Sequence, residues 1–212
     1  MLHYTDLTGL ASVAVAATAA TLLLPSVARL TPQRLAVLQG LVFVLILVPL
    51  GDLSLAAYLR GATGDLSITT LALLMMCGIG RITSSSLDKG RPGGVAFKQC
   101  FTSQHNRSAL LMFIALAALA LYPLALGISS FDPYRLGYGN PWLVFAFLLI
   151  ALLAWLRKFD LIAVCIAFAT LAWAVGWYES DNLWDYLLDP FVSIYALSAV
   201  ISRTFKLLFK RV

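Results

Sequence analysis

Charge is scarce in this chain of 212 residues, and histidine is scarcer. Only 12% of the residues are charged while 61% are apolar, and a water-soluble domain carries roughly twice that charge. The two histidines, His3 and His105, both lie outside the apolar runs. Haem held between membrane helices needs axial ligands at membrane depth, and a hydrolytic zinc site needs three protein ligands, commonly His. Neither set is present, so no cofactor and no metal is expected. The last apolar run has no lysine before Lys206, which excludes a retinal-type Schiff base. Cys77, Cys100 and Cys165 are three and irregularly spaced, and they give no disulfide framework. Residues Met1 to Thr8 lack the basic stretch and small-residue cleavage site of a secretory signal.

Other absences narrow the chemistry. No ionisable residue sits deep within an apolar run, where a pathway for ions or charged solutes would place one. A serine hydrolase lacks its embedded base, and the glycine-rich, His-containing motifs of membrane acyltransferases are missing. An intramembrane aspartyl hydrolase would pair two carboxylates. Asp52 and Asp65 both follow glycine, but Gly61-Ala62-Thr63-Gly64-Asp65 is one residue too long for Gly-x-Gly-Asp. The net charge of +5 is spread over four segments without a basic arm or base-reading fold, so no nucleic-acid partner is expected.

What is present is an alternation. Thirteen of the 15 basic residues fall in four segments: Arg29 and Arg34; Arg81, Lys89, Arg91, Lys98 and Arg107; Arg157 and Lys158; and Arg203, Lys206, Lys210 and Arg211. The intervening gaps hold Arg60 and Arg135 with eight of the ten acids. Lys and Arg bias orients short loops towards the cytoplasm. Crossing about 30 Å of hydrocarbon takes about 20 apolar residues as a helix, and seven segments qualify: 7–28, 35–50, 66–80, 108–128, 141–156, 161–178 and 183–202. The expected fold is all-α, a polytopic single domain over 1–212 with seven transmembrane helices, an external N-terminus and a cytoplasmic C-terminus. The cytoplasmic loop is 82–107 and the outer loops are 51–65, 129–140 and 179–183. The expected location is a bacterial inner membrane.

A short repeat, Gly51-Asp52-Leu53-Ser54-Leu55 and Gly64-Asp65-Leu66-Ser67-Ile68, reads as two turns that each start a helix, with Asp as the capping residue. Asp52 then starts a short outer helix over 53–60, and Asp65 starts the third span. Asp185 and Asp189, four apart, are expected on one helix face, and Asp160 is expected to begin the sixth helix. Ser67, Thr69, Thr70, Thr170, Ser193, Tyr195 and Ser198 are placed to bond between helices.

Two surfaces stand out. On the outer side Asp52, Arg60, Asp65, Tyr134, Arg135, Trp177, Glu179, Asp181, Trp184, Asp185 and Asp189 form an acidic and aromatic face suited to a polar partner. Part of its aromatic content is the interfacial belt common to membrane proteins. On the inner side Lys89, Arg91, Lys98 and Arg107 face lipid phosphates. The partners expected are membrane lipids and a membrane protein, either a different chain or a second copy. The function expected is that of a non-catalytic integral membrane subunit or accessory factor of a cell-envelope lipid or polysaccharide system. A transporter or flippase for a neutral or lipidic substrate is the first alternative, and a lipid-modifying enzyme using the outer carboxylates is the second.

Overall fold

The computed structural model describes residues 4–22, 24, 27, 30–49, 51–83 and 103–209. Among them the chain is helical, and its only extended pairing is an isolated bridge between Pro49 and Ser54. The helices are α1 Tyr4–Thr21, α2 Pro32–Leu47, α3 Leu55–Thr63, α4 Ile68–Thr83, α5 Gln104–Ala125, α6 Pro141–Leu156, α7 Asp160–Ala174, α8 Leu183–Leu187 and α9 Pro190–Phe209, with a 3₁₀ turn at Pro133–Gly137.

Two of these, α5 and α9, are long and apolar enough to cross a membrane. The others expected to do so are shorter: α1 has 18 residues, α2, α4 and α6 have 16 and α7 has 15. At 1.5 Å per residue, α7 is about 22 Å long.

Several boundaries differ from the apolar pattern for local reasons. The first helix stops at Thr21, and Pro25 has no N–H with which to continue bonding to Thr21. The segment expected over 183–202 is two helices, because Pro190 disfavours helical backbone at the residue before it and Leu188 is extended. Asp185 and Asp189 therefore belong to different elements and do not share a face. Beyond that break α9 runs on to Phe209. Three helices end in the same motif, in which a residue in left-handed backbone sends the next N–H back five residues. It is built at Gly127 after α5, at Lys158 after α6 and at Gly176 after α7. Two of the three sites are glycines, as the geometry favours, and Lys158 at φ 63° is the exception.

The main core joins α4, α5, α6, α7, α8 and α9 around Leu110, Ile114, Leu161, Ile166, Leu183 and Leu187. A smaller one, Val13, Ala14, Ile46 and Ala56, fastens α1, α2 and α3. Helix α1 also packs along α4, which connects the two. Of the hydroxyls expected to bond between helices, Ser67 and Thr70 do so, and Ser193 Oγ donates to Tyr122 Oη at 3.4 Å. Ser198 instead bonds within its own helix. Thr69 and Thr170 bury their hydroxyls without a partner among the described residues.

Candidate functional surface at the acidic end

Helices α1, α4, α6 and α9 all begin at the end of the bundle that carries most of the acids. The Gly-Asp-Leu-Ser repeat builds much of this end, although not by the expected route. Both glycines turn the chain at positive φ, 91° for Gly51 and 72° for Gly64. In both copies the helix starts after the serine: Ser54 Oγ accepts from Ala57 N at 3.2 Å and Ser67 Oγ accepts from Thr70 N at 3.1 Å. The capping residue is thus Ser, and neither Asp52 nor Asp65 caps a helix. Asp52 is exposed. The outer helix runs Leu55–Thr63 rather than over 53–60.

Freed from capping, Asp65 pairs with Arg60. Arg60 Nε and Nη2 reach Asp65 Oδ1 at 2.6 Å and Oδ2 at 3.1 Å, a two-pronged contact that matches the planar guanidinium to the carboxylate. Arg60 Nη1 also reaches Asp6 Oδ1 at 3.3 Å, and Nη2 lies 3.4 Å from Glu179 Oε2. One cation thus ties together α1, α3, the turn before α4 and the chain after α7. Its hydrogen bonds to Asp65 hold its pKa above the ordinary value. Gly9 makes room for it: a Cβ at that position would lie 2.5 Å from Arg60 Nε and 2.6 Å from Asp65 Oδ1. Glu179 is exposed, and its carboxyl is raised above the usual range by a hydrogen bond with Asp6, against the opposing pull of Arg60.

Asp189 is buried at 5% exposure and is the most heavily bonded carboxylate of the chain's described residues. Oδ1 accepts from Val192 N at 2.8 Å and so caps α9. Oδ2 accepts from Ser67 N at 2.9 Å, Ser67 Oγ at 2.8 Å and Thr70 Oγ1 at 2.5 Å. The same side chain therefore fixes the start of α4 to the start of α9. Its placement in the sequence as part of an open partner surface is corrected: it faces inward.

Asp185 and Trp184 are likewise turned to internal use. Tyr134 Oη donates to Asp185 at 2.9 and 3.0 Å, and Ser180 Oγ donates to it at 2.5 Å. Burial, together with the Asp185 charge, holds the Tyr134 hydroxyl above its usual pKa. Trp184 Nε1 donates to Pro133 O at 3.0 Å, and its ring stands edge-on to Phe147 at 5.0 Å between centroids. Asn182, fully buried, caps α8 through Trp184 N and donates to Tyr134 O. Gly137 lies so close to the Asn182 amide that no larger residue fits. Gly137 carries no signal in the sequence, whereas Asn182 is a good capping residue directly before the first turn of α8.

What remains outward is Trp177, 46% exposed, with Asp52, Glu179, Asp181, Arg135 and Tyr138. The Trp177 main chain is anchored, its carbonyl accepting from Thr8 Oγ1. Asp181 likewise fixes its backbone, accepting from Trp173 Nε1 at 2.8 Å, and projects its carboxylate to solvent. At the opposite end Lys89, Arg91 and Lys98 lie outside the described residues. Arg107 is in the first turn of α5 and donates from Nη2 to Tyr195 Oη at 3.1 Å. No known family matches this chain, and no curated protein and no solved structure matches it either.

Proposed function

We propose that this chain is a polytopic integral membrane protein of a bacterial inner membrane, with its acidic end outside and its basic end in the cytoplasm. In this reading it serves as a non-catalytic subunit or accessory factor of an envelope lipid or polysaccharide system. The membrane reading is supported by where the apolar surface lies. Only 33% of the apolar stretch of α5 and 17% of that of α9 are buried inside the fold, whereas the core helix of a soluble domain would bury most of it. On α6, Phe145, Leu152, Leu153, Trp155 and Leu156 are exposed together, an apolar face of the kind that marks a protein or membrane contact. The seven-segment topology adds the charge alternation to these two helices.

One observation carries the non-catalytic reading: the carboxylates best placed for chemistry are each held by fixed donors within the fold. Asp65 is gripped by Arg60, Asp185 by Tyr134 and Ser180, and Asp189 by Ser67, Thr70 and Val192. That work is structural, and it makes a rigid platform from which Trp177, Glu179 and Asp181 face outward. Aromatic anchors dominate such contacts, with rim charges contributing less. Trp177→Ala is expected to lose the partner from affinity purification of the full chain while the protein still inserts and purifies folded, since the backbone at residue 177 is held by Thr8 and Ala172 whatever its side chain. Retention of the same partner by Trp177→Ala and by a combined Glu179→Gln and Asp181→Asn variant would retire the docking reading.

A further inference from the structure

Arg107 and Tyr195 line two cavities at once. The first, about 430 Å³, is a groove lined by α1 at Val13, Ala17 and Ala20, by α3 at Leu59 and Thr63, and by α9 at Phe191 and Tyr195. Leu73 and Leu74 of α4 also line it. Small residues on α1 keep it open, and from Val13 to Ala20 it follows about 10 Å of helix axis. The second, about 720 Å³, lies at the basic end between α5 and α9. Arg107, Arg203 and Lys206 border it beside apolar Met112, Phe159 and Val200. No carboxylate is among the described residues lining either cavity.

We propose that the two cavities together hold one anionic phospholipid. Its phosphodiester sits among Arg107, Arg203 and Lys206, and one acyl chain passes the Arg107–Tyr195 pair into the groove between α1 and α9. Charge complementarity selects the anion. Arg203 donates to Ser108 Oγ, a hydroxyl that accepts the hydrogen bond and leaves the positive charge in place, and a guanidinium fork fits phosphate oxygens. Basic pockets between membrane helices at the cytoplasmic surface take headgroups of this kind. The apolar groove selects a lipid over a soluble phosphate: it begins at the same arginine, and filling it with a chain restores the packing that the alanines of α1 forgo. This site rests on the membrane reading for its leaflet; its headgroup end, at Arg203 and Lys206, lies at the opposite end of the helices from Trp177, and Trp177 does not line either cavity.

The test titrates the purified full chain in detergent with phosphatidylglycerol, phosphatidylcholine or glycerol 3-phosphate, and counts bound lipid by native mass spectrometry. Phosphatidylglycerol is expected to bind at one copy and at least tenfold more tightly than phosphatidylcholine, and glycerol 3-phosphate not at all. Arg203→Gln with Lys206→Gln, both on an exposed stretch of α9, is expected to weaken phosphatidylglycerol about 25-fold, about fivefold for each charge, without moving the lipid-free melting temperature. Ala17→Phe or Ala20→Leu, whichever melts like the parent, fills the groove and is expected to weaken the long-chain lipid while leaving dihexanoyl phosphatidylglycerol unchanged. Equal binding of the two phospholipids, binding of glycerol 3-phosphate comparable to that of the lipid, or indifference to the double glutamine variant would overturn the site. Indifference of the long-chain lipid to the groove variant would do the same. A protein that binds lipid as expected yet keeps its partner after Trp177→Ala and after the combined Glu179→Gln and Asp181→Asn change refutes the docking reading alone.

Discussion

Replacing Asp189 by asparagine exchanges one carboxylate oxygen for an NH₂ group of nearly the same size, turning an acceptor into a donor. The four donors to this carboxylate differ in freedom. The Ser67 and Thr70 hydroxyls rotate and can turn to accept from an amide, but the backbone N–H groups of Ser67 and Val192 are fixed by the starts of their helices. An asparagine has one acceptor oxygen, so one of these two N–H groups must face an NH₂ whichever way the amide is turned. Because the side chain is 5% exposed, water does not take the place of the lost acceptor. A hydrogen bond to a charged group contributes about 1.5–3 kcal/mol and a buried orphan donor costs about 1–3 kcal/mol. The expected loss for Asp189→Asn is thus about 2–4 kcal/mol. For a chain of this length that corresponds to a fall in melting temperature of about 5–15 °C.

The assay is thermal unfolding in a fixed detergent, followed by near-ultraviolet circular dichroism, with Ser67→Ala and Thr70→Val measured alone and combined with Asp189→Asn. If the carboxylate acts through these hydroxyls, the combined losses fall short of the sum by about 0.5–3 kcal/mol, as expected for groups in one network. An asparagine variant that melts with the parent, or losses that simply add, would refute the view that Asp189 locks α4 to α9. Either result would return Asp189 to the candidates for a role in chemistry.

Gly9→Ala is expected to cost about 1–2 kcal/mol by crowding the Arg60–Asp65 pair, yet to stabilise by up to about 1 kcal/mol in a combined Arg60→Ala and Asp65→Ala background, where both crowding side chains are gone and helix propensity remains; paired melts read the change of sign. Ser54→Ala is expected to lose about 0.5–2 kcal/mol as a missing cap, and Asp52→Ala close to none, a contrast that chemical denaturation of the two variants checks. Lys158→Gly relieves a side chain in left-handed backbone and is expected to add about 1 kcal/mol, visible as a higher melting temperature. The raised Glu179 carboxyl means that the folded state holds its proton more tightly than the unfolded chain does. Its contribution is therefore present at low pH and is lost as pH rises upward from the ordinary value of 4.5, and Glu179→Gln should flatten that part of the stability profile.

The sequence made the helical class legible because apolar runs separated by charged gaps have one reading wherever backbone must satisfy itself. The sixth helix of the fold shows the rule at its clearest: Pro141 lies at its N-terminus, where the missing N–H is harmless, and Arg157 follows its end, so the expected limits and the observed ones coincide. Where one apolar run hides a break, composition is silent. The Asp189-Pro190 step interrupts the hydropathy only briefly between two apolar stretches, and it is the restriction that proline imposes on its neighbour that divides α8 from α9.

The candidate surface was harder to read, and the reason is visible in the Gly-Asp-Leu-Ser repeat. Asp and Ser are both good capping residues, two positions apart, and sequence alone does not say which of them stands where the helix begins. Serine caps in both copies, and this releases the two aspartates to different ends: Asp52 to solvent and Asp65 to Arg60. Arg60 itself was recognised as a rare cation on the acidic side, but its partners Asp6 and Glu179 lie 54 residues before it and 119 after it, and no local pattern links them. The same holds for Asp189, whose donors Ser67 and Thr70 come from a helix more than a hundred residues earlier. Acids gathered at one end of a bundle therefore look like a surface until the hydrogen bonds are drawn. Once they are, Asp65, Asp185 and Asp189 belong to the frame, and the exposed candidates left for a partner contract to Trp177, Glu179 and Asp181, with Asp52, Arg135 and Tyr138 also at the surface. A partner that needed the whole acidic face would have to break the frame to reach it, so the smaller face is the one to mutate first.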